Sequence, residues 1–185
     1  MKIETRLRDE WLALRCCTNE PGAYADLVSV MEAPLLYYVI KITGSRDAAL
    51  DVLQEVWVRA FRGIRKLKDP GAVRPWLYSI AHGISVDHLR RMSVRTDNEV
   101  TGIEIADVAS EESFTPDDAA AVHRALDELQ PVHREVLVLF FLEEFSIAEI
   151  AEATRCPEGT VKSRLHYAKK ALRTIISGGV YAEHK

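Results

Sequence analysis

No run of 18 uninterrupted apolar residues occurs among the 185 residues, and no charged-then-apolar leader stands at the start. Neither membrane insertion nor export by a signal peptide is therefore expected. Cysteine is scarce. Cys16, Cys17 and Cys156 are too few and too poorly spaced for a zinc site, and the adjacent pair fits badly into a disulfide framework. A reduced, cytoplasmic protein is the expectation. There is no glycine-rich phosphate loop, no His-Glu-x-x-His and no Gly-x-Ser-x-Gly, so the sequence predicts neither an enzyme nor a cofactor. His82, His88, His123, His133, His166 and His184 are scattered without ligand spacing, which predicts no metal site. No stretch alternates with the period of a strand.

A net charge of −4 looks wrong for a nucleic-acid partner until it is divided by segment. Residues 1–95 hold 15 Lys and Arg against 11 Asp and Glu, a net +4. Residues 96–121 hold eight acids and no Lys or Arg, and residues 122–185 hold nine of each sign. The acidity belongs to the middle of the chain, and this asymmetry says more than the total.

Apolar periodicity is helical throughout. A short leading helix is expected within the first twenty residues, around Trp11, Leu12 and Leu14. From Tyr24 a stripe of Leu27, Val28, Met31, Leu35, Val39 and Ile42 predicts a second helix, with a kink or restart at Pro34. Gly44 suits its C-cap, and Ser45 can cap the next helix with Asp47 in the first turn. That helix should run from about Arg46 to Leu67. Its inner set is Ala49, Val52, Leu53, Val56, Trp57, Ala60, Phe61 and Ile64. After the turn Lys68-Asp69-Pro70-Gly71, Trp76, Leu77, Ile80, Ala81, Ile84 and Leu89 mark a further helix closing in Arg90-Arg91. The expectation is an all-α chain of two small helical domains, residues 1–95 and 117–177. An acidic linker over 96–116 joins them, and 178–185 form a frayed tail.

The most informative stretch is Ser146–Arg173. Ser146 and Glu149 form a capping-box pattern that opens a short helix, and Thr154-Arg155-Cys156-Pro157 breaks it, Pro157 suiting the first position of the next helix. The second helix turns Val161, Leu165, Ala168 and Leu172 inward and Lys162, Ser163, His166, Lys169, Lys170 and Arg173 outward. Between Arg155 and Arg173, six basic residues face the single acid Glu158. A tight helix pair with a basic second helix is the unit that places a reading helix in the major groove. An ordinary solvated helix pair carries the same pattern.

Asp47-Ala-Ala-Leu-Asp-Val-Leu-Gln-Glu-Val-Trp-Val-Arg-Ala-Phe-Arg62 resembles the region-two signature of bacterial sigma factors of the extracytoplasmic-function group, in the sigma-70 family. Trp76-Leu-Tyr-Ser-Ile-Ala81, with Asp87 and Leu89-Arg90-Arg91, is similar to the promoter −10 segment that follows it. Ala125–Leu137 and Cys156–Leu165 resemble region four of the same group, so the resemblance covers residues 22–176 in order. It implies an alternative sigma factor that binds core RNA polymerase and directs promoter-specific transcription initiation.

The resemblance implies roles for particular residues. Asp51, Gln54, Glu55, Arg59 and Arg62 would meet the clamp helices of the largest polymerase subunit, with region four reaching the flap. Arg74, Tyr78, His82, Arg90 and Arg91, beside a loop from Lys66 to Pro75 that would hold a flipped base, would bind the −10 element. Thr160, Lys162, Ser163, Arg164, His166, Tyr167 and Lys169 would engage the −35 element, Lys162 at a base edge. The family usually has asparagine where this chain has Gly83, and often arginine where it has Tyr167. An anti-sigma protein is a further implied partner. The acidic linker would thread the polymerase's nucleic-acid channels, although a solvated tether has the same composition. The rival reading is a stand-alone helix-turn-helix regulator with an N-terminal sensing or dimerisation domain. A recombinase is a third, which no nucleophile or carboxylate set supports.

Overall fold

The computed structural model describes residues 3–96 and 116–176, and every described element is helical. The acidic linker expected over 96–116 lies, but for its two end residues, outside the described residues, as does the tail at 178–185. Helices α1 (Ile3–Cys17), α2 (Ala23–Thr43), α3 (Arg46–Gly63) and α4 (Val73–Thr96) form the N-terminal half. Helices α5 (Pro116–Asp127), α6 (Pro131–Leu137), α7 (Ile147–Thr154) and α8 (Glu158–Ile176) form the C-terminal half.

The caps are those the sequence predicts. Gly44 ends α2 with φ 71°, a left-handed conformation that glycine adopts without strain, and the Ser45 side chain accepts from the Ala48 N–H to open α3. Two boundaries differ from the expected ones. Helix α2 does not restart at Pro34 but runs through it. A proline inside a helix costs about 3 kcal/mol. The fully buried Leu27, Met31, Leu35, Tyr38 and Val39 flank Pro34 on both sides and offset that cost. Helix α3 stops at Gly63 rather than Leu67 and tightens into a 3-10 turn over Ile64–Lys66. A second such turn, Pro70–Ala72, is capped by the Asp69 carboxylate accepting from the Gly71 N–H at 2.9 Å.

In the C-terminal half the capping box at α7 forms fully, with Ser146 Oγ accepting from the Glu149 N–H and Glu149 accepting from the Ser146 N–H. Arg155 takes the left-handed C-cap at φ 52°. Pro157 stands one place before α8, lending its carbonyl to Thr160 and Val161. Helix α6 is short, Pro131–Leu137. It widens into a π-turn over Val138–Leu142, in which Glu143 N–H reaches back five residues to the Val138 carbonyl. The extra residue turns Phe141 and Leu142 to solvent and Glu143 inward.

The two halves pack against each other along α4–α7 and α2–α6. Buried residues of both belong to one continuous apolar cluster, from Leu12 to Ala171.

Candidate nucleic-acid interface

Helix α8 presents the most open of the candidate surfaces. Its inner face is Val161, Leu165, Ala168 and Ala171, with Leu172 half-buried. Lys162, Ser163, His166, Tyr167 and Lys169 are exposed, whereas Thr160 and Arg164 are half-buried. Lys162 Nζ lies 3.8 Å from Glu158, an exposed pair of the kind that contributes little and exchanges readily for another anion. Ser163 Oγ donates to the Gly159 carbonyl at 2.7 Å. The Lys169 ammonium sits over the rings of Phe140, at 4.7 Å, and Phe141, at 5.3 Å, so it is steered toward the π-turn. Tyr167 packs edge-on against His166 with its ring otherwise in solvent.

Helix α3 shows a mixed outer face. Asp51, Gln54, Arg59 and Arg62 are exposed, and Glu55 is half-buried and paired with Arg59. The sequence places Phe61 inside; the structure leaves it 63% exposed, against Tyr24 at 5.0 Å, and Leu50 and Val58 are exposed on the same helix. The stripe rotates Phe61 off the packed side because Ala60 and Ile64 already fill it. The surface is therefore apolar as well as charged, which suits a macromolecular partner better than a purely solvated face.

Helix α4 divides the remaining candidates. Arg90 and Arg91 are exposed near its end, each leaning on Asp87. Arg74, Tyr78 and His82 instead point into the seam between the halves. Tyr78 was expected as a group able to stack on bases. Here it is fully buried between Tyr38, at 4.9 Å, and Phe145, at 5.1 Å, because the C-terminal half covers that face of α4. Arg74 pairs with Asp9 of α1 at 2.7 Å and with Glu143 at 2.8 Å. Burial works against its charge, but Glu143, Tyr78 and Asp9 hold the guanidinium firmly protonated. His82 Nδ1 lies 2.7 Å from Glu135, whose carboxylate also accepts from Tyr38 Oη at 2.6 Å. Burial and the Glu135 charge push the Tyr38 phenol well above its usual range. The seam is extended by Lys41–Asp127 at 2.6 Å, Tyr37–His123 at 2.7 Å and Arg134 donating to the Lys41 carbonyl at 2.9 Å.

Asp9, Glu135 and Glu143 were not singled out from the sequence. Glu135 and Glu143 bracket the apolar run Val136–Leu142, and an acid at each end of such a run is the one available signal. Gly83, where an asparagine is usual in the resembled family, faces the helix-turn-helix. The Arg155 guanidinium lies 3.5–3.7 Å from where a Cβ would stand.

An all-α chain with a basic, solvent-facing reading helix and a tight turn before it defines a helix-turn-helix DNA-binding protein. Residues 19–94 match the family described as Sigma-70 region 2, and residues 119–172 match Sigma-70, region 4. The ECF RNA polymerase sigma factor SigL of Mycobacterium tuberculosis is 36% identical over 151 residues, covering 78% of this chain and 83% of SigL. SigW of Bacillus subtilis is 29% identical over 167 residues, covering 84% and 89%. Among solved structures, the sigma factor RpoE in complex with the anti-sigma factor NepR, from Bartonella quintana, shares the fold with a TM-score of 0.75 at 18% identity, over 84% of this chain and 98% of that one.

The chain belongs to the extracytoplasmic-function group of the sigma-70 family and is an alternative sigma factor that directs transcription initiation. Sigma factors are transcription initiation factors whose partners are core RNA polymerase and promoter DNA. The stand-alone regulator is not favoured, since the N-terminal half matches region 2 rather than a sensing domain. No helix among the described residues is long and apolar enough to cross a membrane.

Proposed function

We propose that α3 docks on core polymerase, that α4 handles the −10 element and that α8 reads the −35 element, in a cytoplasmic protein with no enzymatic activity of its own. The observation that carries this reading is the exposure of α8. Lys162, Ser163, His166 and Tyr167 stand clear on one side of a helix whose other side is packed, at the end of a capped helix-turn-helix. Asp51, Gln54, Arg59 and Arg62 are exposed on α3, and the exposed Phe61 adds an apolar group that can anchor polymerase. Arg90 and Arg91 are the −10 candidates available to phosphate in this conformation, and Arg74, Tyr78 and His82 become available once the seam parts. Residues 1–95 act as the polymerase-binding and −10 domain, and residues 117–177 as the −35 domain.

An anti-sigma protein is a further partner on this reading, supported by the fold shared with the RpoE–NepR complex. Run-off transcription with purified core polymerase tests the assignment. The protein should co-purify with core and start transcripts at a defined set of promoters. Phe61→Asp should lose core binding while keeping its helical content. Tight, specific duplex binding without polymerase, and no transcripts with it, would count against the reading.

A further inference from the structure

We infer that Phe140 and Phe141 are positioning residues for DNA binding, holding the Lys169 ammonium of α8 as a prepared contact for a promoter phosphate. The inference rests on the −35 role proposed for α8.

Three exposed side chains of α8, Lys162, His166 and Lys169, stand at the i, i+4, i+7 spacing that puts them on one face. A reading helix meets base edges with its N-terminal end. Lys169 lies two turns beyond Lys162, about 10 Å further along the axis, in a groove about 8.5 Å deep. That distance carries its amine away from the base edges and toward the phosphates on the groove's rim.

Two aromatic rings make a corner for this amine. Phe140 and Phe141 have centroids 5.0 Å apart and planes at 82° to each other, and Lys169 Nζ sits 4.7 Å over the first ring and 5.3 Å over the second. The π-turn builds the corner, because its extra residue brings Phe141 out to 54% exposure next to the half-buried Phe140. Ring faces attract an ammonium through their quadrupole. They carry no net charge, so they hold the cation without cancelling it. Lys162 is held differently, 3.8 Å from the Glu158 carboxylate, which a phosphate must displace. Among the described residues no carboxylate forms an ion pair with Lys169. An ammonium has three donors, and those not directed at the rings can donate to phosphate oxygens. A free lysine loses much rotamer freedom when it is fixed on a phosphate. Here the rings impose part of that loss before DNA arrives, so less remains to oppose binding.

Holoenzyme binding to promoter DNA over a salt series tests this. K169Q should flatten the salt dependence, reducing the slope of log affinity against log salt by about one, as loss of a phosphate contact does. F141A keeps the charge and removes the exposed ring. It should weaken binding at fixed salt by about two- to fivefold, the worth of an exposed cation–π contact, and F141Y should restore it. In the K169Q background F141A should cost nothing more, because the ring then has no ammonium to place. An unchanged slope in K169Q would overturn the inference and remove Lys169 from the −35 contacts. A flattened slope in K169Q, with F141A either without effect or equally costly in both backgrounds, would overturn the positioning role alone and leave Lys169 a phosphate contact. Tighter binding by F141A would overturn it as well, since the rings would then be withholding the amine from DNA.

Discussion

Glu143 Oε2 and Arg74 Nη1 lie 2.8 Å apart, 69 residues distant in sequence, on opposite walls of the seam. The two residues reach each other only because the π-turn before Glu143 rotates it inward, where a regular helix would have carried it elsewhere. Glu143→Ala leaves a buried guanidinium with Asp9 as its remaining carboxylate. A broken buried pair of this kind costs about 3–5 kcal/mol. Urea denaturation followed by circular dichroism should show that loss, with Glu143→Gln milder because it still accepts a hydrogen bond. Equal midpoints for Glu143→Ala and wild type would mean the pair contributes nothing.

Gly63 is a position of close approach. A Cβ there would stand 3.0 Å from Cζ2 of Trp76, inside normal contact distance. Gly63→Ala should force the indole aside and destabilise the N-terminal half by about 1–3 kcal/mol, as overpacking does. Near-ultraviolet circular dichroism of the tryptophan band and the thermal midpoint read the change. An unshifted midpoint with an unchanged tryptophan band would show that the ring moves freely.

The folded protein should weaken in mild acid. Burial, with the nearby Lys41 charge, holds the His123 imidazole below its ordinary pKa, and burial with Arg164 does the same for His133. A histidine whose folded pKa is depressed takes up its proton more readily when unfolded. Its stabilising contribution is complete above about pH 6.5, the unfolded value, and is lost as pH falls through the folded one. The thermal midpoint should therefore drop between about pH 7.5 and pH 5.5, the span over which an ordinary histidine titrates. H123Q/H133Q should show a shallower drop. An identical pH profile in the double variant would assign the effect to other groups.

Lys162→Ala should reduce promoter binding by about 1–3 kcal/mol and relax preference at one −35 position, if the amine reaches a base edge. Binding titrations of the holoenzyme against a set of −35 variants distinguish the roles. A uniform loss across all variants would identify a phosphate contact instead.

Much of the architecture was legible in the sequence because local rules governed it. Ser45, Gly44 and the Ser146–Glu149 pair each cap a helix through bonds within a few residues, so spacing alone located them. The inner face of α8 followed from its period. No restart occurs at Pro34, where tertiary burial on both sides outweighs the local penalty. Phe61 was misread because an apolar stripe does not say which edge stays open. On α3, Asp51, Gln54, Arg59 and Arg62, and on α8, Lys162, Ser163, His166, Tyr167 and Lys169, lie on the solvent side, whereas Glu55, Thr160 and Arg164 are half-buried. Arg74, Tyr78 and His82 were expected, with Arg90 and Arg91, to face DNA; their covering by Glu135, Glu143 and Phe145 depends on contacts 53 to 69 residues away, which no local pattern carries.

Both walls of the seam belong to one chain, so their encounter is intramolecular. Tethered surfaces meet at effective concentrations on the order of millimolar, and that value does not change when the protein is diluted. A free anion at lower concentration competes poorly with Glu143 for Arg74 and with Glu135 for His82. The seam therefore closes as firmly in a dilute solution as in a concentrated one.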